Sequence, residues 1–75
     1  MNSNSKEEKI LVKINGEIFA CIANMSINEL LQYLDFDINL IIVEYNSQII
    51  PKNKLNATNV KHNDKLEIVT IVGGG

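Results

Sequence analysis

Residues 9–31 read KILVKINGEIFACIANMSINELL, and within them an alternating pattern gives way to a helical one across two sharp boundaries. Lys9–Ile14 is rich in β-branched residues and stops at Asn15-Gly16. An Asn-Gly pair between two such runs predicts a tight hairpin, because both central positions of a type I′ turn need positive φ. The returning strand is expected over 17–23. A two-residue loop sets Ile10, Val12 and Ile14 opposite Cys21, Phe19 and Glu17. Ser26-Ile27-Asn28-Glu29 then has the form of a capping box, the serine hydroxyl accepting from the Glu29 amide and the Glu29 carboxylate reaching back. Met25 and Leu30 occupy the positions of a hydrophobic staple. Ile27, Leu30, Leu31 and Leu34 follow at i, i+3, i+4 and i+7, the apolar stripe of a helix of about three turns. Asp35-Phe36-Asp37 breaks that pattern.

Beyond the helix the chain returns to strands. Leu40-Ile41-Ile42-Val43 is a continuous apolar run suited to a strand buried on both faces. A turn is expected at Tyr45-Asn46-Ser47-Gln48, followed by a short strand at Ile49-Ile50 that Pro51 confines to a sheet edge. Residues 52–59 are polar and irregular, with room for one helical turn. His62-Asn63-Asp64 forms another turn, in which Asn63 tolerates the left-handed region. Residues 65–72 form the last strand. Hairpin, helix, strand, short strand and final strand, in that order, make an α+β domain of the β-grasp, or ubiquitin-like, type. Four to five strands form a mixed sheet, and one main helix lies across it. First and last strands are expected side by side and parallel in the middle of the sheet. The domain is expected over 9–72, between a polar N-terminal tail at 1–8 and a glycine tail at 73–75.

Size and charge narrow the function. A chain of 75 residues is one small domain that buries only about 60% of its unfolded surface, which leaves little room for an internal active site. Formal charge is −2, and all 7 basic residues are scattered lysines. Nucleic-acid binding needs a clustered basic face, so it is not expected. Neither a membrane-spanning apolar run nor a basic-then-apolar leader occurs in the sequence. The one cysteine, Cys21, rules out an internal disulfide and suits a reducing compartment.

The chain closes on Ile71-Val72-Gly73-Gly74-Gly75. Glycines without Cβ atoms can extend through a channel too narrow for other residues. A Gly-Gly carboxylate hung on a strand therefore suits threading into an activating enzyme, with Gly73 either part of the tail or a spacer. Cys21 lies mid-strand with no basic neighbour in sequence to lower its pKa, as a buried structural thiol does. His62 has no companion ligand and reads as a solvated turn residue. In the last strand Leu66, Ile68 and Thr70 alternate with Glu67, Val69 and Ile71. If the first set faces the helix, Val69 and Ile71 form an exposed docking patch beside the tail. The opposite phase stays open.

Taken together, these features resemble the ThiS family, the sulfur carriers of thiamine biosynthesis. The resemblance runs from about Ile10 to Gly75. It rests on Asn15-Gly16, on Ser26-Ile27-Asn28-Glu29-Leu30-Leu31, on Asn46-Ser47-Gln48-Ile49-Ile50-Pro51, and on Asp64-Lys65-Leu66-Glu67-Ile68 with Val72-Gly73-Gly74-Gly75. Asn63 stands where the family commonly has glycine. The resemblance implies that an E1-like adenylyltransferase of the ThiF type uses ATP and Mg²⁺ to adenylate the Gly75 carboxylate. A sulfur donor such as a cysteine desulfurase then converts it to a thiocarboxylate, and thiazole synthase of the ThiG type takes the sulfur. On this reading the carrier is no enzyme and binds no cofactor itself. It works in the cytoplasm, or in the plastid stroma if organelle-encoded. Alternatives are the small sulfur-carrier subunit of molybdopterin synthase and a noncovalent ubiquitin-like interaction module.

Overall fold

A computed structural model describes residues 8–71. The first hairpin forms in the expected register. β1 (Lys9–Ile14) pairs antiparallel with β2 (Glu17–Ile22), placing Ile10, Val12 and Ile14 opposite Cys21, Phe19 and Glu17. Asn15 (φ 50°) and Gly16 (φ 85°) supply the two left-handed turn positions. Ala23 N–H donates to the Glu8 carbonyl at 2.8 Å, carrying the pairing one step beyond the strands.

The helix α1 (Ile27–Tyr33) begins at the Ser26 capping box, with Ser26 Oγ accepting from Glu29 N–H at 3.0 Å and Glu29 Oε1 accepting from Ser26 N–H at 2.9 Å. It spans 7 residues, about two turns and not three. Asp35 takes φ 67°, and the amides of Asp35 and Phe36 donate back to the carbonyls of Gln32 and Leu31. This is the Schellman closure, with aspartate in glycine's place. Leu34 caps the helix and remains half-buried.

A 3₁₀ turn at Ile38–Leu40 leads into β3 (Ile41–Tyr45), which turns through Asn46 (φ 49°) and Ser47 (φ 76°) into β4 (Gln48–Ile50). After Pro51 and a 3₁₀ turn at Lys52–Lys54, the chain runs alongside the start of α1. There the Thr58 and Leu55 carbonyls accept from Ile27 N–H (2.9 Å) and Asn28 N–H (3.1 Å). The first helical amides have no partner within the helix, so this polar segment supplies what the capping box leaves over. It also inserts Leu55 into the core, an anchor that the polar character of 52–59 conceals, and Val60 follows it in directly after that segment.

β5 (Lys65–Thr70) completes a five-stranded sheet in the order β2-β1-β5-β3-β4. It lies in the centre, parallel to β1 and antiparallel to β3, as expected, with β4 and its following proline at the edge. This is the β-grasp fold. Ile27, Leu30 and Leu31 of α1 pack with Val12, Val43, Leu66 and Ile68 into one cluster. The expectation that the Leu40–Val43 run is buried on both faces is not met. Ile41 and Val43 are buried, while Leu40 and Ile42 are exposed. A single helix covers a single face, so alternate β3 residues face water however apolar they are.

Candidate functional site

The end of β5 is where sheet, surface and tail meet. Leu66 and Ile68 point under the helix, so Val69 and Ile71 take the opposite side, 55% and 44% exposed. Of the two phases open in the sequence, the structure has the one that leaves these residues uncovered. On this outer face the cross-strand neighbours of β5 pair like with like, although Lys13 and Glu44 have Ile18 and Ile49 on their other sides. Lys13 sits beside Lys65, Glu44 beside Glu67, and Ile42 beside Val69. Like charges directly opposite one another oppose folding, so stability alone does not account for such rungs. Ile42 and Ile49 extend the apolar end, and Ile71 borders a shallow depression with Ile42, Ile49 and Pro51. Gly73, Gly74 and Gly75 lie outside the described residues.

Both ends of β5 are held by asparagines from hairpin turns. At the start, Asn46 Oδ1 accepts from Lys65 N–H at 2.8 Å, and the Asn46 amide donates to the Lys65 carbonyl at 2.8 Å. Near the end, Asn15 Oδ1 accepts from Ile68 N–H at 2.7 Å, and Asn15 Nδ2 donates to the Ile68 carbonyl at 3.3 Å. Just before the strand, the buried Asp64 carboxylate accepts from Tyr45 Oη (2.5 Å), Lys61 N–H (2.7 Å) and Asn46 Nδ2 (3.2 Å). A buried carboxylate persists only with such partners. Desolvation by burial, then the hydrogen bond to Asp64 and its charge, push the Tyr45 phenol up to about 12. None of these side-chain roles is visible as a motif. Their partners are as far as 53 residues apart in the chain, and only the two asparagines' turn chemistry marked the positions.

Other sequence candidates separate clearly. Cys21 is a free buried thiol, and burial raises its pKa, which makes it a poor nucleophile. His62 is exposed, and its Nδ1 accepts from Leu11 N–H at 3.1 Å. It thus closes the β1 ladder where β5 has not yet begun. Among the described residues no cluster of three His, Cys, Asp or Glu could hold a metal, and no helix is long and apolar enough to cross a membrane.

A one-helix β-grasp domain with an uncovered sheet face leading toward a glycine tail has the form of a small carrier module. Residues 7–75 match the ThiS family, and the chain belongs to that family. It is 44% identical over 68 residues to the ycf40 protein of Porphyra purpurea, covering 91% of this chain and 96% of that one. A thiazole synthase of Paramagnetospirillum magneticum is 42% identical over 62 residues, covering 83% of this chain but 19% of the synthase. Among solved structures, the thiamine biosynthesis protein ThiS of Geobacter metallireducens superposes with a TM-score of 0.77 at 26% identity, covering 88% of this chain and all of that one.

Proposed function

We propose that this chain carries sulfur for thiazole formation on the carboxylate of Gly75. The carboxylate attacks the α-phosphorus of ATP on an E1-like adenylyltransferase of the ThiF type, releasing pyrophosphate and leaving an acyl adenylate. Persulfide sulfur from a donor such as a cysteine desulfurase displaces AMP. Thiol cleavage of the resulting S–S bond leaves a thiocarboxylate, which a thiazole synthase of the ThiG type consumes. The chemistry divides sensibly. A carboxylate is a poor electrophile until it gains a leaving group, and a thiocarboxylate is a strong tethered sulfur nucleophile. ATP and Mg²⁺ belong to the activating enzyme.

The observation that carries this reading is the family match, which extends through the glycine tail to residue 75. A thiazole synthase containing a stretch similar to this chain favours thiazole synthase over molybdopterin synthase as the acceptor. The uncovered Val69 and Ile71 beside the tail suit docking to both partners. The plastid reading-frame name of the ycf40 relatives favours the plastid stroma as the setting.

Incubation with ATP, an activating enzyme and a persulfide donor, followed by intact mass measurement, tests the proposal. The expected mass gain is that of one oxygen exchanged for sulfur. Deleting Gly75, or replacing Gly74 with a bulky residue, is expected to abolish adenylation while unfolding stays within about 0.5 kcal/mol of the parent. A chain that no activating enzyme adenylates, or a tail deletion that is still adenylated, overturns the carrier reading.

A further inference from the structure

β5 outruns its parallel neighbour. The β1–β5 pairing consists of Lys13 with Lys65 and Ile14 with Leu66, and the Asn15 amide adds one bond to the Leu66 carbonyl at 2.9 Å. The β1 backbone then turns away at Gly16, while β5 continues to Thr70. At Ile68 the Asn15 side chain takes the missing strand's place. A carboxamide offers the same donor and acceptor as a peptide, and Asn15 presents both to the Ile68 N–H and carbonyl. On the opposite edge β3 stays with β5 to its end, and Ile71 N–H donates to the Leu40 carbonyl at 2.6 Å. The exit of β5 is therefore held from β3 by backbone and from the β1 side by one side chain. The turn itself does not require this residue's amide. Glycine and aspartate satisfy positive φ there as well, but only asparagine at this length supplies donor and acceptor together.

We infer that Asn15 is a positioning residue that aligns the last strand so that the carboxyl tail enters the activating enzyme. The inference rests on the carrier reading. Ile68 stands seven residues before Gly75, near the end of β5, so what holds Ile68 fixes where the chain leaves the sheet. Holding the strand exit in place before the encounter removes part of the ordering that binding must otherwise supply.

Asn15→Gly keeps the turn and removes both bonds. Asn15→Asp keeps the turn and the acceptor but sets a carboxylate oxygen against the Ile68 carbonyl. Asn46→Gly is the control, because it loosens the start of β5 and not its exit. For each folded variant, carrier-dependent ATP–pyrophosphate exchange gives KM and kcat, and hydrogen exchange reports the Ile68 amide. Asn15→Gly is expected to exchange the Ile68 amide at least about tenfold faster, while Asn15→Asp, which keeps the acceptor, protects that amide and loses only the bond to the Ile68 carbonyl. In both Asn15 variants KM for the carrier should rise about five- to thirtyfold, the factor for ordering one residue's backbone, with kcat little changed. Asn46→Gly is expected to lower stability without that rise. A parent chain that is no substrate defeats the carrier reading, and the exchange measurement then still judges the clamp. A parent that is adenylated while Asn15→Gly and Asn15→Asp keep its KM overturns the positioning role. So does a KM that rises equally in Asn46→Gly, and so does an unchanged Ile68 exchange rate in Asn15→Gly.

Discussion

The two faces of the central strand are built on opposite terms. Beneath the helix, Leu66 and Ile68 are buried among Ile27, Leu30, Leu31 and Val43. One residue further on, Glu67 and Val69 face solvent beside Glu44 and Ile42. Equally apolar side chains, Ile68 and Val69 or Ile41 and Ile42, thus contribute in different ways according to a period of two. The inner face gains from burial, at about 25 cal/mol per Å². The outer face forgoes that gain and stacks like charges along its rungs. On the proposed docking reading, the difference puts stability on one side of the sheet and recognition on the other.

The inner face should therefore be the sensitive one. Leu31 has no exposed surface, and Leu31→Ala is expected to cost about 2–5 kcal/mol, enough in so small a domain to threaten folding. Urea unfolding checks this. A loss below about 1 kcal/mol would show that the helix stripe is not what holds the sheet. At the helix start, Ser26→Ala removes one side of the reciprocal cap and is expected to cost about 0.5–2 kcal/mol. Because carbonyls from Leu55 and Thr58 already serve the neighbouring amides, a loss at the low end of that range would mean the 52–60 segment carries most of the capping.

Much of this division was legible in the sequence. The Asn-Gly turn and the capping box are short-range signals whose chemistry is complete within a few residues, and both formed with the expected partners. The phase of β5 was open in the sequence and became settled only once the helix's side of the sheet was known. The helix length was overestimated because Leu34 still continues the stripe, although Asp35 has already adopted the left-handed conformation that ends it. An unbroken apolar run such as Leu40–Val43 cannot reveal whether a second layer exists to cover it. Leu55 and Val60 lack neighbours of their kind at any regular spacing, so no periodicity exposes them as core. Asn15, Asn46 and Asp64 act through bonds that only the closed fold brings together. The tail was legible as a motif and lies outside the described residues.

A third test probes the polar seam between the faces. Tyr45 donates to the buried Asp64 carboxylate, and Tyr45→Phe is expected to cost about 0.5–1.5 kcal/mol. The phenol's pKa is raised from its ordinary 10.0 to about 12. The folded state therefore binds this proton more tightly than the unfolded chain does. The resulting stability is complete below the unfolded pKa of 10.0 and is lost as pH rises through the folded value. Chemical denaturation followed from pH 9 upward, in steps of about one unit, should show stability declining in the parent and less so in Tyr45→Phe. Equal slopes would mean that the Tyr45–Asp64 contact does not govern alkaline unfolding.

The smallest effect on stability is expected where the effect on partners is expected to be largest. Val69→Asp places a carboxylate on a side chain that is already 55% exposed, and its cost to folding should stay within about 0.5 kcal/mol. One position earlier, Ile68→Asp buries a charge without a partner and should prevent folding. Circular dichroism on the two neighbours distinguishes the faces directly, and similar melting behaviour would erase the distinction. On the docking reading, folded Val69→Asp or Ile71→Asp binds the activating enzyme and thiazole synthase more weakly while its tail carboxylate stays chemically competent. Titrating each partner against folded variants measures that loss. Normal binding to both would place docking elsewhere on the molecule, and the like-with-like rungs of Lys13–Lys65 and Glu44–Glu67 would be the next surface to substitute, since a partner that presents the opposite charges would relieve their mutual repulsion.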